Sequence, residues 1–335
     1  MHNPKVSVII LNYNGIKFIE QCLKSVLNTD YTSFEVILVD NASQDGSIEL
    51  AKKLFEDNPK LRIIENRNNL GFAQGNNIGA KHAKGDILVF LNIDTEVEPN
   101  WLHELVNVMN PNPTIGAAQC KLLIAQNRNL LESIGHYVDY TGIESAESTL
   151  IKGQVNDDRY NQSKEIFYAR GAAMAIKRNV FLKAGMFDPA YFMDHEEIDL
   201  CWRIWLRGYK IVSAPKSIVY HYGGALVGKR EENPTVLFHL RKNHITSLIK
   251  NYQLKNTMKY LPIYLTFLFG HACLTIPKGK INITITYIKA VQWALKNFRY
   301  IYTQRLKVQY LIRRVPDATI MKNMTKPRIP WHLLK

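Results

Sequence analysis

The chain has 335 residues, 46% of them hydrophobic, which is enough for one large α/β domain and an appendage. Its four cysteines are scattered without CxxC spacing, which argues against a zinc cluster and against a disulfide framework. The net charge of +14 divides into −3 over residues 1–232 and +17 over residues 233–335, so the C-terminal part predicts an anionic partner, nucleic acid or a membrane surface.

Strands and helices alternate along the first hundred residues. The segment KVSVIILNYN predicts a buried strand, reached by Val6, which leaves no room for a signal peptide, so we expect this part of the chain in the cytoplasm. Helical spacing follows over residues 16–27, and then come the strand FEVILVDNAS, the helix DGSIELAKKLF, the strand LRIIENRNN, the helix GFAQGNNIGAKHA and the strand DILVFLNID. Four alternations at βαβ spacing predict a parallel sheet with helices on both faces.

All four predicted strands end in polar residues. In open α/β sheets, ligands bind beyond the carboxyl ends of the strands. Any one of these ends is explained by a turn or a helix cap, for which Asn and Asp are favoured. Four ends of this kind at one rim indicate a binding site. The residues are Asn12, Tyr13 and Asn14, then Asp40 and Asn41, then residues 66–69, then Asn92, Ile93 and Asp94.

The pattern loosens from Gly116 onward. Residues 125–165 are polar and irregular, with glycines that include Gly153, and predict a variable insert on the substrate side. IFYARGAAMAIKRNVF regains strand character, and an acidic cluster, an amphipathic helix and a last strand follow before SIVYHYGG. We expect a first half over residues 1–115 and a second half over residues 116–235.

Seven motifs stand in one order over roughly residues 5–250: VSVIILNYNG, VILVDNASQDGS, NLGFAQGNNIGA, ILVFLNIDTEVEP, ARGAAMAIKR, GMFDPAYFMDHEEIDLCWR and VYHYGG. This ordered set resembles the family 2 inverting glycosyltransferases of GT-A fold, in the branch of rhamnosyltransferase-like enzymes of bacterial surface polysaccharide assembly. The resemblance implies a Rossmann-like α/β fold with a mostly parallel sheet. It assigns residues 1–115 to the nucleotide sugar and residues 116–235 to the acceptor.

The resemblance places a metal site at the end of the fourth strand. A diphosphate leaving group needs its charge neutralised, usually by Mg²⁺ or Mn²⁺. Asn92 and Asp94 stand at the family's DxD position, but Asn92 replaces the first Asp and brings no charge. Asp94 is therefore the expected ligand, and His221 in VYHYGG is the second. The alternative for His221 alone is a hydrogen-bonded histidine at a strand end.

The resemblance also assigns the nucleotide-sugar pocket. Asp40 is expected to accept a hydrogen bond from a pyrimidine base, as UDP or dTDP would provide. Gly71 and Gly75 would let the backbone approach a phosphate or ribose at a helix start. GFAQG lacks the spacing GxGxxG, which argues against a dinucleotide cofactor. The other expected pocket residues are Asn12, Tyr13, Asn14, Asn41, Asp45, Asn76, Asn92 and Asp94.

An inverting transfer needs one base, and the resemblance places it in MDHEEIDLCWR. We assign Glu197, with Glu196 as the alternative, because the second acid of this pair carries the role in the motif. Clustered carboxylates raise at least one pKa, which suits a base. The competing explanation is the preference of helix N-termini for acidic residues. The acceptor side is assigned to Arg170, Gly171, Ala172, Trp202 and Arg203, with packing as the alternative for Trp202 and Arg203.

The basic tail, residues 236–335, predicts helices at a membrane. Residues 261–276 are apolar but hold Pro262 and His271, and they fall short of the roughly 20 residues that a spanning helix needs. INITITYIKAVQWALKNFRYIY mixes apolar, aromatic and basic residues, as interfacial helices do. We expect an anchor separate from the catalytic part. Helices that pack on the body and expose a basic face are the alternative, and no nucleic-acid motif is present.

The sequence thus predicts an inverting glycosyltransferase, peripheral to the cytoplasmic face of the inner membrane. It would move a sugar, with rhamnose suggested by the branch, from a nucleotide-diphosphate sugar to a saccharide or lipid-linked acceptor. A nucleotidyltransferase is one alternative, although NYNGIKF supplies only Lys17 for a phosphate loop. An inactive membrane scaffold of the same fold is the other. Neither the donor nucleotide nor the oligomeric state follows from the sequence.

Overall fold

The structure, a computed structural model, describes residues 4–145, 160–223 and 233–327. Gly153, much of the predicted insert around it and the last glycine of VYHYGG lie outside the described residues. The first half contains β1 Val6–Asn12, α1 Ile19–Leu27, β2 Phe34–Asp40, α2 Ser47–Phe55, β3 Leu61–Glu65, α3 Gly71–His82, β4 Ile87–Asn92, β5 Thr95–Val97 and α4 Trp101–Met109.

The rest of the chain adds four strands and then only helices among the described residues. These elements are β6 Ile115–Ile124, β7 Asn127–Ser133, β8 Ala173–Lys177, α5 Arg178–Lys183, α6 Glu196–Leu206, β9 Lys210–His221, α7 Pro234–Asn251, α8 Leu254–Thr275, α9 Ile281–Lys296, α10 Phe298–Leu306 and α11 Asp317–Ile320. The predicted alternation in the first half and the helical C-terminal region are confirmed.

The nine described strands form one sheet in the order β3-β2-β1-β4-β8-β6-β9-β5, with β7 paired to β6. The first four are parallel, and so are β6 and β9, whereas β8 is antiparallel to both of its neighbours. The strands β5 and β7 also pair in the antiparallel sense. The expectation of a mostly parallel sheet was wrong, because the second half contributes hairpin-like pairings, and the sheet is mixed.

Alternate residues of β1 enter two different hydrophobic cores. Val6, Val8 and Ile10 pack with α1, α2 and α4 on one face, while Ile9 packs with α3 on the other. This follows from the two-residue period of a strand. Both faces of the sheet are therefore covered, as predicted, and only the strand ends are left for a site.

Strand register brings the predicted polar ends together. Asn12 pairs with Asp40 across β1 and β2, and Leu11 pairs with Asn92 across β1 and β4. On the other side of the sheet, His221 at the end of β9 pairs with Thr95 of β5. His221 is therefore next to Asp94, although 127 residues separate them in the chain.

The C-terminal helices are bonded into the body. The Lys250 ammonium of α7 donates to Asp188 (2.7 Å) and Asp199 (3.0 Å), and all three groups are buried. The backbone N–H of Arg314 donates to the carbonyl of Leu206 at the end of α6. This packing differs from the expected separation between a catalytic part and an anchor. No helix within the described residues is long and apolar enough to cross a membrane.

Candidate active site

The ends of β1 and β2 share one buried hydrogen-bond network. The Asn12 Nδ2 donates to Asp40 Oδ1 (2.7 Å), Ser47 Oγ (2.8 Å) and Ser43 Oγ (3.0 Å). Asp40 also accepts from the hydroxyl of Ser43 (2.6 Å) and from its backbone N–H (3.0 Å). The structure thus brings Asn12 and Asp40 together, and it ties the Asp40 carboxylate to Ser43, which the sequence analysis had not named.

The two loops after these strands are joined by Asn14 and Asp45. Asn14 has a positive φ of 52° and its Oδ1 accepts from the Gln44 backbone N–H (2.9 Å). Asp45 accepts from the N–H of Ile16 (2.8 Å), and although burial raises its pKa, its hydrogen bonds outweigh this and lower it. Tyr13, by contrast, is 45% exposed, so its ring is available to a ligand at the rim.

The first turn of α3 is shaped by contacts within the protein. A Cβ on Gly71, which has a φ of +74°, would lie 2.5 Å from Phe192, and one on Gly75 would lie 2.5 Å from Leu11 Cδ1. Packing within the protein already requires glycine at both positions, so the presence of these glycines does not depend on a bound phosphate or ribose. Asn41 Nδ2 donates to the Gly71 carbonyl (3.0 Å) and thereby fixes this helix start.

Asn76 is buried within α3. Its Nδ2 donates to the Phe72 carbonyl one turn earlier (3.0 Å), and the residue is 1% exposed. The structure therefore accounts for Asn76 as a side chain that is hydrogen-bonded within its own helix.

The end of β4 carries the predicted metal ligand. Asp94 Oδ1 lies 3.5 Å from His221 Nε2, and both side chains are buried. The other ring nitrogen, His221 Nδ1, lies 2.8 Å from Oε2 of Glu132 on β7. Burial alone would lower the pKa of His221, but the neighbouring carboxylates of Asp94 and Glu132 raise it to about 9. The result is an Asp94–His221–Glu132 row at the rim.

The donor set of this row fits a divalent cation. Nε2 of His221 has no hydrogen-bond partner among the described residues and faces the Asp94 carboxylate. Glu132 fixes the ring orientation from behind, as carboxylates do for metal-bound histidines. In the described ranges, no group of three or more His, Cys, Asp or Glu side chains is arranged to hold a metal ion, so Asp94 and His221 would be the two protein ligands. Substrate oxygens would have to complete the shell, as is usual for Mg²⁺.

Arg170 extends the row toward the second half of the chain. Its NH1 donates to Glu132 Oε1 (3.0 Å). The neighbouring Ala172 carbonyl accepts from the backbone N–H of Asn92 (3.0 Å), and Gly171 lies against the Phe72 ring, where a Cβ would be 2.9 Å from Cζ. The segment assigned to the acceptor side is therefore placed directly beside the end of β4.

The predicted bases lie at the end of a strained turn. We call residues 188–197 the acidic turn; Phe192, Asp194 and His195 within it have positive φ values of 63°, 62° and 71°. Burial raises the pKa of Glu196 well above its usual value, and the Glu197 charge adds to this. Burial also raises the pKa of Glu197, against the attraction of Arg170. Two adjacent carboxyls with raised pKa values suit a shared proton and a general base.

Trp202 and Arg203 lie inside the protein. Trp202 packs edge-on against Tyr252 with ring centroids 4.7 Å apart, and Arg203 donates to Asp199 Oδ2 through Nε (3.0 Å) and NH2 (2.8 Å). Both are fully or almost fully buried. The structure thus supports the packing alternative for these two residues and gives neither a place facing an acceptor.

Sequence reasoning missed two carboxylates of the site. Glu132 and Glu144 lie in the stretch taken for a variable insert, and Glu144 raises the pKa of Glu197 by charge repulsion. The one available signal was Glu132 itself, a carboxylate directly after the two leucines of NRNLLES.

Comparison with known proteins gives a family. The model of the family described as Glycosyl transferase family 2 matches residues 7–183. The chain is similar to the O-antigen biosynthesis protein RfbC of Myxococcus xanthus, at 28% identity over 227 residues, 66% of this chain and 18% of that protein. Matches to the first curated relatives span between 18% and 35% of the relatives' own length.

Solved structures give the fold. The mannosyltransferase PcManGT from Pyrobaculum calidifontis, in complex with GDP-Man and Mn²⁺, matches with a TM-score of 0.57 at 20% identity, over 96% of this chain and 87% of that one. Staphylococcus aureus TarS in complex with UDP-GlcNAc matches with a TM-score of 0.56 at 16% identity, over 95% and 89%. At these identities the likeness concerns the fold alone, which is GT-A-like with a mixed sheet.

Proposed function

The chain belongs to glycosyl transferase family 2, and we propose that it is an inverting glycosyltransferase of cell-surface polysaccharide synthesis. It would transfer a sugar, rhamnose being the candidate from the sequence branch, from a UDP- or dTDP-sugar to a saccharide or lipid-linked acceptor. The names of relatives such as RfbC support the pathway class, and the nucleotide sugars bound to PcManGT and TarS support the donor class.

One observation carries the proposal: a continuous polar row that runs from Asp94 to the acidic turn. Asp94 faces His221 at 3.5 Å, His221 bonds to Glu132 at 2.8 Å, and Glu132 accepts from Arg170 at 3.0 Å. Arg170 in turn attracts the Glu197 carboxylate. A group that suits a diphosphate and a group that suits proton removal are thus linked electrostatically through Arg170, as suits a transfer between two substrates.

The proposed transfer is a single displacement at the anomeric carbon. Glu197 removes the proton from the acceptor hydroxyl, and the acceptor oxygen forms a bond to the anomeric carbon on the face opposite the diphosphate. The bond from that carbon to the diphosphate oxygen breaks, and its electron pair leaves with the diphosphate. Attack from the opposite face inverts the anomeric configuration. The raised pKa of Glu197 makes its carboxylate a stronger base than an exposed glutamate.

Asp94 and His221 are the residues that would hold a divalent cation, Mg²⁺ or Mn²⁺, which when bound neutralises charge on the diphosphate. Glu132 would hold the His221 ring in the orientation that leaves Nε2 free. At the other end of the rim, Asp40 and Tyr13 would contact the base, and the 45% exposure of Tyr13 supports this role for its ring.

The test is a panel of UDP-, dTDP- and GDP-sugars with Mn²⁺, scored by thermal shift and by release of nucleotide diphosphate. We expect one nucleotide sugar to raise the melting temperature and to be hydrolysed slowly, only when the metal is present. Release of pyrophosphate from a nucleoside triphosphate and a sugar phosphate would indicate a nucleotidyltransferase instead. A binding signal without any turnover would favour the inactive scaffold.

We also propose that α8 and α9 rest on an anionic membrane surface at the cytoplasmic face of the inner membrane. Large apolar side chains stand exposed on both helices, Phe269 by 72% and Ile281 by 55%. Residues 233–335 carry 18 Lys and Arg against Asp317 alone. Apolar burial and attraction of about 1 kcal/mol per basic residue near the surface would act together on an anionic bilayer.

Vesicle binding tests this surface. The full chain should sediment with phosphatidylglycerol vesicles, less so at high salt, and poorly with phosphatidylcholine, because only the Coulomb part is screened. Phe269→Glu with Ile281→Glu should weaken binding by more than about tenfold, given 1.5–3 kcal/mol for each large apolar side chain that is buried. Leu54→Glu, at a residue 43% exposed on α2, is the matched control. Unchanged vesicle binding of the double variant would contradict the membrane proposal. A change in its oligomeric state in place of a change in vesicle binding would contradict it as well.

A further inference from the structure

We propose that Asn243 of α7 is a positioning residue that holds the acidic turn in the conformation from which Glu196 and Glu197 project. The kinetic part of this inference rests on the proposed transferase function. Its structural part does not, because it concerns how a helix of the C-terminal region fixes a turn of the body.

The acidic turn needs an external support. Three of its residues, Phe192, Asp194 and His195, have positive φ values without being glycine. Such backbone conformations are unfavourable for residues other than glycine and persist only where the surroundings over-determine them. The turn ends in the first two residues of α6, which are Glu196 and Glu197. Relaxation of the turn would therefore move both carboxylates.

Asn243 supplies that support at the centre of the turn. Its Nδ2 donates to three carbonyls of the turn, those of Tyr191 (2.9 Å), Met193 (2.8 Å) and Asp194 (2.6 Å). The side chain is 1% exposed, so no water competes for these bonds. One amide group thus holds the stretch in which the positive φ values occur.

Lys242 sets the orientation of that amide. Its Nζ donates to Asn243 Oδ1 (2.7 Å), so the carbonyl end of the amide faces Lys242 and the NH₂ end faces the turn. The reverse orientation would place an oxygen against three carbonyl oxygens. Lys242 therefore fixes the amide of Asn243 in the orientation in which its NH₂ group faces the turn.

The ends of the turn are fixed separately by Lys250. Its ammonium bridges Asp188, at the start of the turn, and Asp199, in the first turns of α6. The Asn251 Nδ2 adds a bond to Asp199 Oδ1 (2.9 Å). With both ends held by these contacts, loss of Asn243 should loosen the middle of the turn while the fold around it remains.

The test compares Asn243→Ala with Asn77→Ala. Asn77 is a buried asparagine of α3 that also bonds a backbone, at Phe187 (2.8 and 3.1 Å), but contacts none of residues 191–194 through these bonds. Hydrolysis of the nucleotide sugar that the wild type turns over fastest is measured against pH, with hydrogen exchange of peptides covering residues 188–199 in parallel. Both variants should lose similar thermal stability.

Asn243→Ala should lower kcat about 100-fold, the scale for a misplacement of about 1 Å, with donor KM nearly unchanged. Its ascending pH limb should shift, and residues 191–196 should exchange faster. Asn77→Ala should keep the kcat and pH profile of the wild type. Equal exchange in wild type and Asn243→Ala overturns the inference whatever the activity. If the wild type turns over no nucleotide sugar, the proposed function fails while faster exchange would still support the positioning role.

Discussion

Replacing Glu197 by Gln is expected to leave donor binding intact and to lower turnover by a factor of roughly 10²–10⁴, the usual contribution of a general base. Gln has nearly the same shape but cannot accept a proton at neutral pH. Because burial raises the pKa of Glu197, wild-type turnover should rise with pH through that raised value as the carboxylate forms. The variant should lack this limb. Steady-state hydrolysis and transfer rates against pH measure both effects.

Glu196→Gln is the matched comparison, since it removes the other carboxyl of the same pair. The side-chain hydrogen bond from Glu196 lowers the pKa of Glu197, so its weakening in the variant should raise that pKa and move the ascending limb to higher pH, while turnover is kept within an order of magnitude. A dead Glu196→Gln beside an active Glu197→Gln would exchange the two roles. Full turnover in both variants would show that the general base does not lie in this turn.

The clustering of the polar strand ends was predictable because its cause is local. Each of β1, β2 and β4 is an apolar run that ends in polar residues, and in parallel strands such ends meet at one rim. The register that pairs Asn12 with Asp40 is therefore implied once the four strands are recognised. The resemblance of the ordered motifs then supplied the roles, which remain predictions for Asp40, Tyr13 and Asp45.

The row behind Asp94 was not predictable in the same way. Glu132 reaches His221 only because β7 pairs with β6 and β6 pairs with β9. Those pairings join distant segments, and nothing in the local period of NRNLLES indicates its partner strand. The mixed character of the sheet was missed for the same reason, because antiparallel neighbours in the second half leave no βαβ spacing to detect.

The net charge of the tail was counted correctly, but its interpretation as an exposed basic surface was incomplete. Counting Lys and Arg treats every charge as exposed, yet Lys250 lies buried between two aspartates and Arg313 pairs with Asp317 at 2.9 Å. Part of the positive charge thus neutralises carboxylates of the body and of the tail. Only the remaining basic residues, with the exposed apolar side chains of α8 and α9, are left to act on a membrane.

Asp94→Ala is expected to abolish the dependence of nucleotide binding on Mn²⁺. Asp94 is the carboxylate that faces His221 Nε2, and without it the imidazole alone would have to hold the ion against water. Nucleotide affinity measured by calorimetry with Mn²⁺ should fall to the value measured without it. Asn92→Asp should be tolerated or should tighten metal binding, because it adds a charge at the same strand end.

The Glu132→Gln variant tests whether Glu132 supports the ion site indirectly, through its contact with His221. Glu132 contacts His221 from the side away from Asp94, so its loss should weaken Mn²⁺ affinity by about 10–100-fold, the usual effect of a residue behind a metal ligand, without abolishing it. The order of effects, Asp94→Ala stronger than Glu132→Gln, follows from direct against indirect contact. Near-normal Mn²⁺-dependent affinity in Asp94→Ala would rule out its role as a ligand. Equal loss in both variants would mean that the row acts as one structural unit, with the ion held elsewhere.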